Sequence, residues 1–219
     1  MRRIFRIAFM ILLLSQSATA SAWLRDEGAA FVSTSVTQSR DGTSDAAVFL
    51  EYGFRARTTI GAKIDTRMYG TTPQSGSGYL FLRRPVGNED SNWRLSYALG
   101  LGASMDANGT TPLFRAEFSV GRGLTLGERS GWINIDTVLV SEPNRDRNTT
   151  KVDATLGMTW SDRLKLMMQA YLSHDGEEEA AIIAPSIVWT PRESRQSYQI
   201  GVEQEEDDTR LKIGIWLKF

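Results

Sequence analysis

His174 is the only histidine in the 219-residue chain, so a histidine-based hydrolase would have to be built around it. On a β-strand that chemistry needs a serine two positions away, on the same face, where the imidazole can take its hydroxyl proton. The same-face neighbours of His174 are Leu172 and Gly176, and neither is a nucleophile. Ser173 and Asp175 adjoin it in sequence but point the other way, and no Asp sits two residues before it. His174 therefore reads as a polar loop residue, and lipid hydrolysis is the weakest of three functional readings.

Two acidic runs form the next candidate. Asp175-Gly176-Glu177-Glu178-Glu179 and Glu203-Gln204-Glu205-Glu206-Asp207-Asp208 crowd carboxylates that suit a hard cation such as Ca²⁺ or Mg²⁺. Neither has the ligand spacing of a defined calcium loop, so both read as solvated loops. With no cysteine there is neither a disulfide framework nor a thiolate metal site. The formal net charge of −1 comes without a basic block, which argues against nucleic acid as a partner. No cofactor is implied.

The remaining charges are spaced by a different rule. Past Gly28 apolar residues recur with a period of two: Ala46, Val48, Leu50, Tyr52 and Phe54 form one run, and Trp93, Leu95, Tyr97, Leu99 and Leu101 another. Successive side chains of a strand point to opposite faces, so each run carries one oily and one polar face. The polar phase holds Lys63, Asp65, Arg67, Arg94, Arg115, Glu117, Asp136, Lys151, Asp153 and Lys165. Turn residues cut the chain into twelve expected strands, at 28–38, 46–54, 58–69, 79–86, 93–105, 113–126, 132–140, 150–160, 164–173, 180–190, 196–204 and 209–219, with ten as the alternative count. Arg83-Arg84-Pro85 disturbs the phase of the fourth. No segment has a sustained helical period, so the chain is all-β.

An alternating sheet can pack its apolar face inside a soluble sandwich or turn it outward to lipid. Three observations favour lipid. Arg2, Arg3 and Arg6, then the apolar run 7–14 and the small residues 15–22, have the layout of a cleavable secretory signal. Cleavage fits after Ala20 or after Ala22. The second is preferred, giving a signal peptide over 1–22 and one barrel domain over 23–219. Trp93 and Trp132 begin strands and Trp160 and Trp189 end them, all beside alternate turns, as an aromatic girdle at one membrane interface requires. The other set of connections is mostly longer, as expected of external loops.

The third observation is the end of the chain: Leu211-x-Ile213-x-Ile215-x-Leu217-x-Phe219. It resembles the terminal strand signature of Gram-negative outer-membrane β-barrel proteins, which their assembly machinery reads. Those families usually carry a further aromatic where Leu217 stands here. The resemblance implies a closed, antiparallel, up-and-down transmembrane β-barrel in the bacterial outer membrane, with Ile215, Leu217 and Phe219 as assembly signal. Its implied partners are membrane lipid, lipopolysaccharide and the barrel-assembly machinery. The ten polar-phase charges then line the lumen. Lumen-side Gly61, Gly100, Gly102, Gly157, Gly201 and Gly214 suggest open space or tight curvature, whereas Trp216 points inward and could occlude. The favoured function is a passive channel for small polar solutes; the alternative is a non-conducting structural or surface-interaction barrel.

Overall fold

The computed structural model describes residues 21–87, 91–176, 178–206 and 208–219. The expected signal peptide lies outside the described residues except for Ser21 and Ala22. Twelve strands follow: β1 (Ala30–Gln38), β2 (Thr43–Arg55), β3 (Thr58–Tyr69), β4 (Thr72–Val86), β5 (Trp93–Asp106), β6 (Gly109–Leu126), β7 (Arg129–Glu142), β8 (Arg147–Ser161), β9 (Leu164–His174), β10 (Glu179–Trp189), β11 (Gln196–Glu205) and β12 (Asp208–Lys218). Each pairs antiparallel with its sequence neighbours, and β1 pairs with β12 to close the barrel. The closing register runs from Phe31 opposite Lys218 to Gln38 opposite Leu211. Beyond it, Phe219 N–H donates to the Ala30 carbonyl at 3.0 Å, and Ala30 N–H to the Phe219 carbonyl at 3.3 Å. This end of the barrel, which carries both termini of the closing pair, is called the near end below.

The inside–outside assignment follows the alternation. Leu80, Leu99 and Leu101 are 70%, 60% and 64% exposed on the outer wall, while Phe81 and Ala98 beside them are buried within the barrel. Val48, Ile64, Phe114, Leu139, Leu172, Ile183, Ile200 and Ile213 are also exposed. A closed sheet with a continuous apolar exterior and every interior strand edge paired meets the two demands that hydrocarbon makes on a polypeptide.

Strand number agrees with the expectation from sequence; strand length does not. β2, β4, β6 and β8 begin at Thr43, Thr72, Gly109 and Arg147, earlier than the apolar pattern indicates, and β7 runs on to Glu142. All these gains lie at the far end. The long connection expected over 70–78 shrinks to 70–71, and that over 106–112 to 107–108, so the expected excess of loop length at the far end is absent. The reason is physical: outside the apolar band side chains need not alternate, yet backbone N–H and C=O groups still pair. The acidic run starting at Glu203 is likewise mostly strand, since β11 continues to Glu205. In β4, Arg83 points inward and is buried while Arg84 is exposed, so the phase survives the double arginine.

At the β1–β2 turn, Thr43 donates its backbone N–H (2.8 Å) and its hydroxyl (3.0 Å) to the Asp41 carboxylate. These bonds hold the Asp41 carboxyl below the usual carboxylate range. A value lowered by folding means that the turn gains its full stability above the ordinary range and loses it as pH falls through the lowered value. The Thr43 amide resonance, followed by NMR in detergent micelles, should therefore titrate with a midpoint below that of a model aspartate. A stronger test of the wall is Leu99→Arg, which places a charge on the outer face of β5. It should cost about 2–4 kcal/mol in reversible urea unfolding from lipid vesicles.

Candidate functional site: the barrel lumen

At the near end the chain before β1 turns back into the barrel. Arg25 N–H donates to Thr59 Oγ1 at 3.0 Å, and the Arg25 side chain pairs with Glu51 at 2.6 Å and covers the Phe31 ring at 4.5 Å. Trp23 lies over Gly121, where a Cβ would come within 2.3 Å of the indole. Ala22 N–H donates to Asn134 Oδ1 at 3.2 Å, and Ser96 Oγ donates to the Ser21 carbonyl at 2.9 Å. The segment thus crosses the lumen from β1–β3 to β5–β7.

Around it the near half of the lumen is packed. Phe31, Trp132, Met167, Val188 and Trp216, from five strands, form one buried apolar cluster, with Trp23 and Phe49 against it. A chain of rings continues along the wall: Trp216–Phe31 at 6.3 Å, Phe31–Phe49 at 6.4 Å and Phe49–Phe81 stacked at 5.8 Å. Edge-to-face and stacked pairs of this kind add modest attraction beyond burial. The lumen glycines do not mark open space, contrary to the sequence-based expectation. A Cβ at Gly157 would lie 2.1 Å from the Trp132 ring, one at Gly61 2.3 Å from Phe81, and one at Gly102 2.6 Å from the Tyr79 side chain. Gly61 and Gly157 are the recesses into which the Phe81 and Trp132 rings fit, whereas Gly102 makes room for the backbone of Gly78 and Tyr79.

Trp132 itself is a correction. Expected in the interfacial girdle, it is 3% exposed and sits inside the barrel, beneath Lys165, whose ammonium is 5.6 Å from its ring. Ile133, Ile135 and Leu139 face outward on β7, so Trp132 shares the inward phase of Asn134, Asp136 and Val138. Parity overrides position beside a turn. Trp93, Trp160 and Trp189 are about half exposed, with Arg122 over Trp93, Arg129 over Trp160 and Tyr198 stacked on Trp189.

Above the apolar cluster runs a chain of alternating charges. Arg25 meets Glu51; Glu51 meets Arg83; Arg83 meets Glu117 at 2.7 Å; Glu117 meets Arg115 at 2.6 Å. Arg83 and Glu51 are each 2% exposed, so two charges otherwise too costly to bury satisfy one another. Glu117 also accepts from Ser119 Oγ. Beside them lies a cavity of about 140 Å³ lined by Ser21, Lys63, Tyr79, Arg115, Asp136 and Asp153, among others. Lys63 pairs with Asp65 at 3.0 Å. Lys151 and Asp153, on β8, make no ion pair within 4 Å among the described residues.

Toward the far end the charges again pair. Arg210 gathers Asp208 at 2.7 Å, Asp45 at 3.5 Å and Glu205, while Arg67 holds Asp45 at 2.8 Å. Lys212 joins Glu203 at 2.9 Å and Tyr171 at 3.5 Å. On the opposite wall Arg145 binds Asp106 at 2.8 Å and lies 3.6 Å from Glu142, which also accepts from Ser104. The first acidic run is partly neutralised by Arg147, 2.6 Å from Asp175. His174 lies 3.7 Å from Glu179 at the far rim.

The structure thus sets Lys63, Asp65, Arg67, Arg94, Arg115, Glu117, Asp136, Lys151, Asp153 and Lys165 on the inward phase of their strands. It adds Arg83, Glu51, Asp45, Glu203, Arg210 and Lys212, which sequence reasoning left out. Strand parity was the available signal: Glu51 alternates with Leu50 and Tyr52, and Lys212 with Leu211 and Ile213.

The closed twelve-stranded barrel resembles known outer-membrane porins in fold. Three-dimensional similarity agrees. The chain matches a KdgM porin with a TM-score of 0.67 and 8% identity, over 86% of this chain and 99% of that one. A second KdgM structure, in complex with disordered oligogalacturonate, scores 0.64 at 9% identity over 86% and 99%. An outer-membrane channel from Pseudomonas putida F1 scores 0.59 at 11% identity, over 93% of this chain and all of that one. Identities this low establish a shared fold and nothing finer. No protein-family model matches the sequence, and no curated protein matches it either.

Arg83→Met should cost about 3–5 kcal/mol in vesicle-based urea unfolding, because it leaves Glu51 and Glu117 buried without their shared partner. Arg84→Met, one residue on but exposed at the near rim, should change stability by no more than about 0.5 kcal/mol.

Proposed function

We propose that this protein is a narrow outer-membrane channel for small polar solutes. The observation that carries this reading is the lumen: an enclosed column of side chains bearing both signs of charge, inside a barrel whose fold is that of porins. Cations and anions alternate along the wall, so the column favours small polar or zwitterionic solutes over a polymer of one charge. In this respect the reading departs from the similar porin solved with an acidic oligosaccharide. The barrel is inserted by the assembly machinery through Ile215, Leu217 and Phe219, and lipid and lipopolysaccharide surround it. Trp93, Trp160 and Trp189 anchor it at the near interface.

The filled near half supports a second reading, a barrel that does not conduct and serves a structural or surface role. The cluster of Phe31, Trp132, Met167, Val188 and Trp216 is the observation behind it. Planar-bilayer recordings of the purified, refolded protein separate the two. The channel reading expects small conductance steps from the intact protein. It also expects severalfold larger steps from a Trp132→Ala/Trp216→Ala double variant, which empties the constriction. Silence from both proteins, with correct heat-modifiable migration on gels, would leave the non-conducting barrel as the function.

A further inference from the structure

Asp136 poses an unsolved problem in the lumen. Its Oδ2 accepts from Asn134 Nδ2 at 2.8 Å; its Oδ1 is buried and, with the hydroxyl of Ser119 opposite it on β6 directed to Glu117, has no hydrogen-bond partner among the described residues. A buried carboxylate oxygen left this way is expensive, and each such group in a native fold calls for an explanation. The cavity that Asp136 lines is also lined by Ser21. The two residues on either side of that site are tied together: Ala22 donates its N–H to Asn134, the same amide that holds Asp136. The nearest cations in the cavity are committed elsewhere, Arg83 and Arg115 to Glu117, and Lys63 to Asp65.

We propose that the chain is processed between Ala20 and Ser21, and that the new α-ammonium of Ser21 is the missing partner of Asp136. An envelope signal-cleaving peptidase adds water across the Ala20–Ser21 peptide bond. Ala20 leaves with the carboxylate, and Ser21 keeps the amine, which is protonated at neutral pH. Residues 18–20, Ala-Thr-Ala, satisfy the small–x–small requirement of such a peptidase.

The contacts of Ser21 and Ala22 favour this bond over the one after Ala22. Cleavage at Ala22 would remove the residues that satisfy Asn134 Oδ1 and Ser96 Oγ, and would strip away Ala22, which is 3% exposed and packed at Gly121. The N-terminal residues then act as a built-in counter-ion that locks the near half of the lumen.

Intact-mass analysis and N-terminal sequencing of the protein extracted from outer membranes test the cleavage. A chain beginning Ser21-Ala22-Trp23 is expected; one beginning at Trp23, or one retaining the leader, overturns the proposal. Amine labelling tests the ion pair in the same wild-type material. The Ser21 amine should react on the order of tenfold slower, or more, in the folded barrel than after denaturation, because a buried pair must open first. The isosteric Asp136→Asn variant should start at the same residue but lose most of that protection. Equal labelling of folded and unfolded wild-type protein would remove Asp136 as the partner even if the start is Ser21. These readouts are independent of conductance, so they stand whether or not the barrel conducts.

Discussion

The pairing of β1 with β12 is the constraint on which everything else rests. In hydrocarbon an unpaired N–H or C=O has no water to turn to, so a membrane sheet exists only as a closed ring. Closure fixes register, and register fixes parity. Once Phe31 lies opposite Lys218 and Ile213 opposite Val36, every residue of the barrel is assigned to lipid or lumen. A slip of one residue would exchange the two faces throughout a strand, placing Ile213 and Ile215 inside and Lys212 and Trp216 in lipid. The energetic contrast between those arrangements is large, and it makes the native register unique.

The interior then has its own problem. A ring of twelve strands encloses more space than one layer of side chains fills, yet less than an open aqueous porin needs. This barrel treats its two halves differently. Toward the near end, aromatic residues from β1, β2, β4, β7 and β12 meet across the axis, and glycines on neighbouring strands give their rings room. Toward the far end, short ion pairs between adjacent strands hold long side chains against the wall. At the junction stands Arg83, with a carboxylate from β2 on one side and one from β6 on the other. Its guanidinium presents donors in a planar fork, which suits bridging two carboxylates in a way a lysine ammonium does not.

Much of this was legible from the amino-acid order. The period of two over runs such as 93–103 identified the strands, and the exposed outer wall bears out their oily phase. Errors arose where a second cue was allowed to override parity. Trp132 was assigned by its place beside a turn, although Ile133 next to it already claimed the outer face. Loop lengths at the far end were read from loss of alternation, but ladder hydrogen bonds continue where alternation stops. Glycines were read as open space or tight curvature because sequence cannot say what leans into them.

Taken alone, the sequence left the strand count at twelve or ten, and it determined the class of the fold and which side chains share a face. These depend only on local periodicity and on the rule that adjacent side chains in a strand point oppositely. Which residues meet across the lumen was decided by the tertiary structure. Phe31 and Trp132, or Ala22 and Asn134, are brought together only when the ring closes and the first residues fold back inside it. The reason lies in geometry: alternation specifies a direction for each side chain, whereas a contact across the axis depends on strand number, stagger and tilt, which belong to the barrel as a whole.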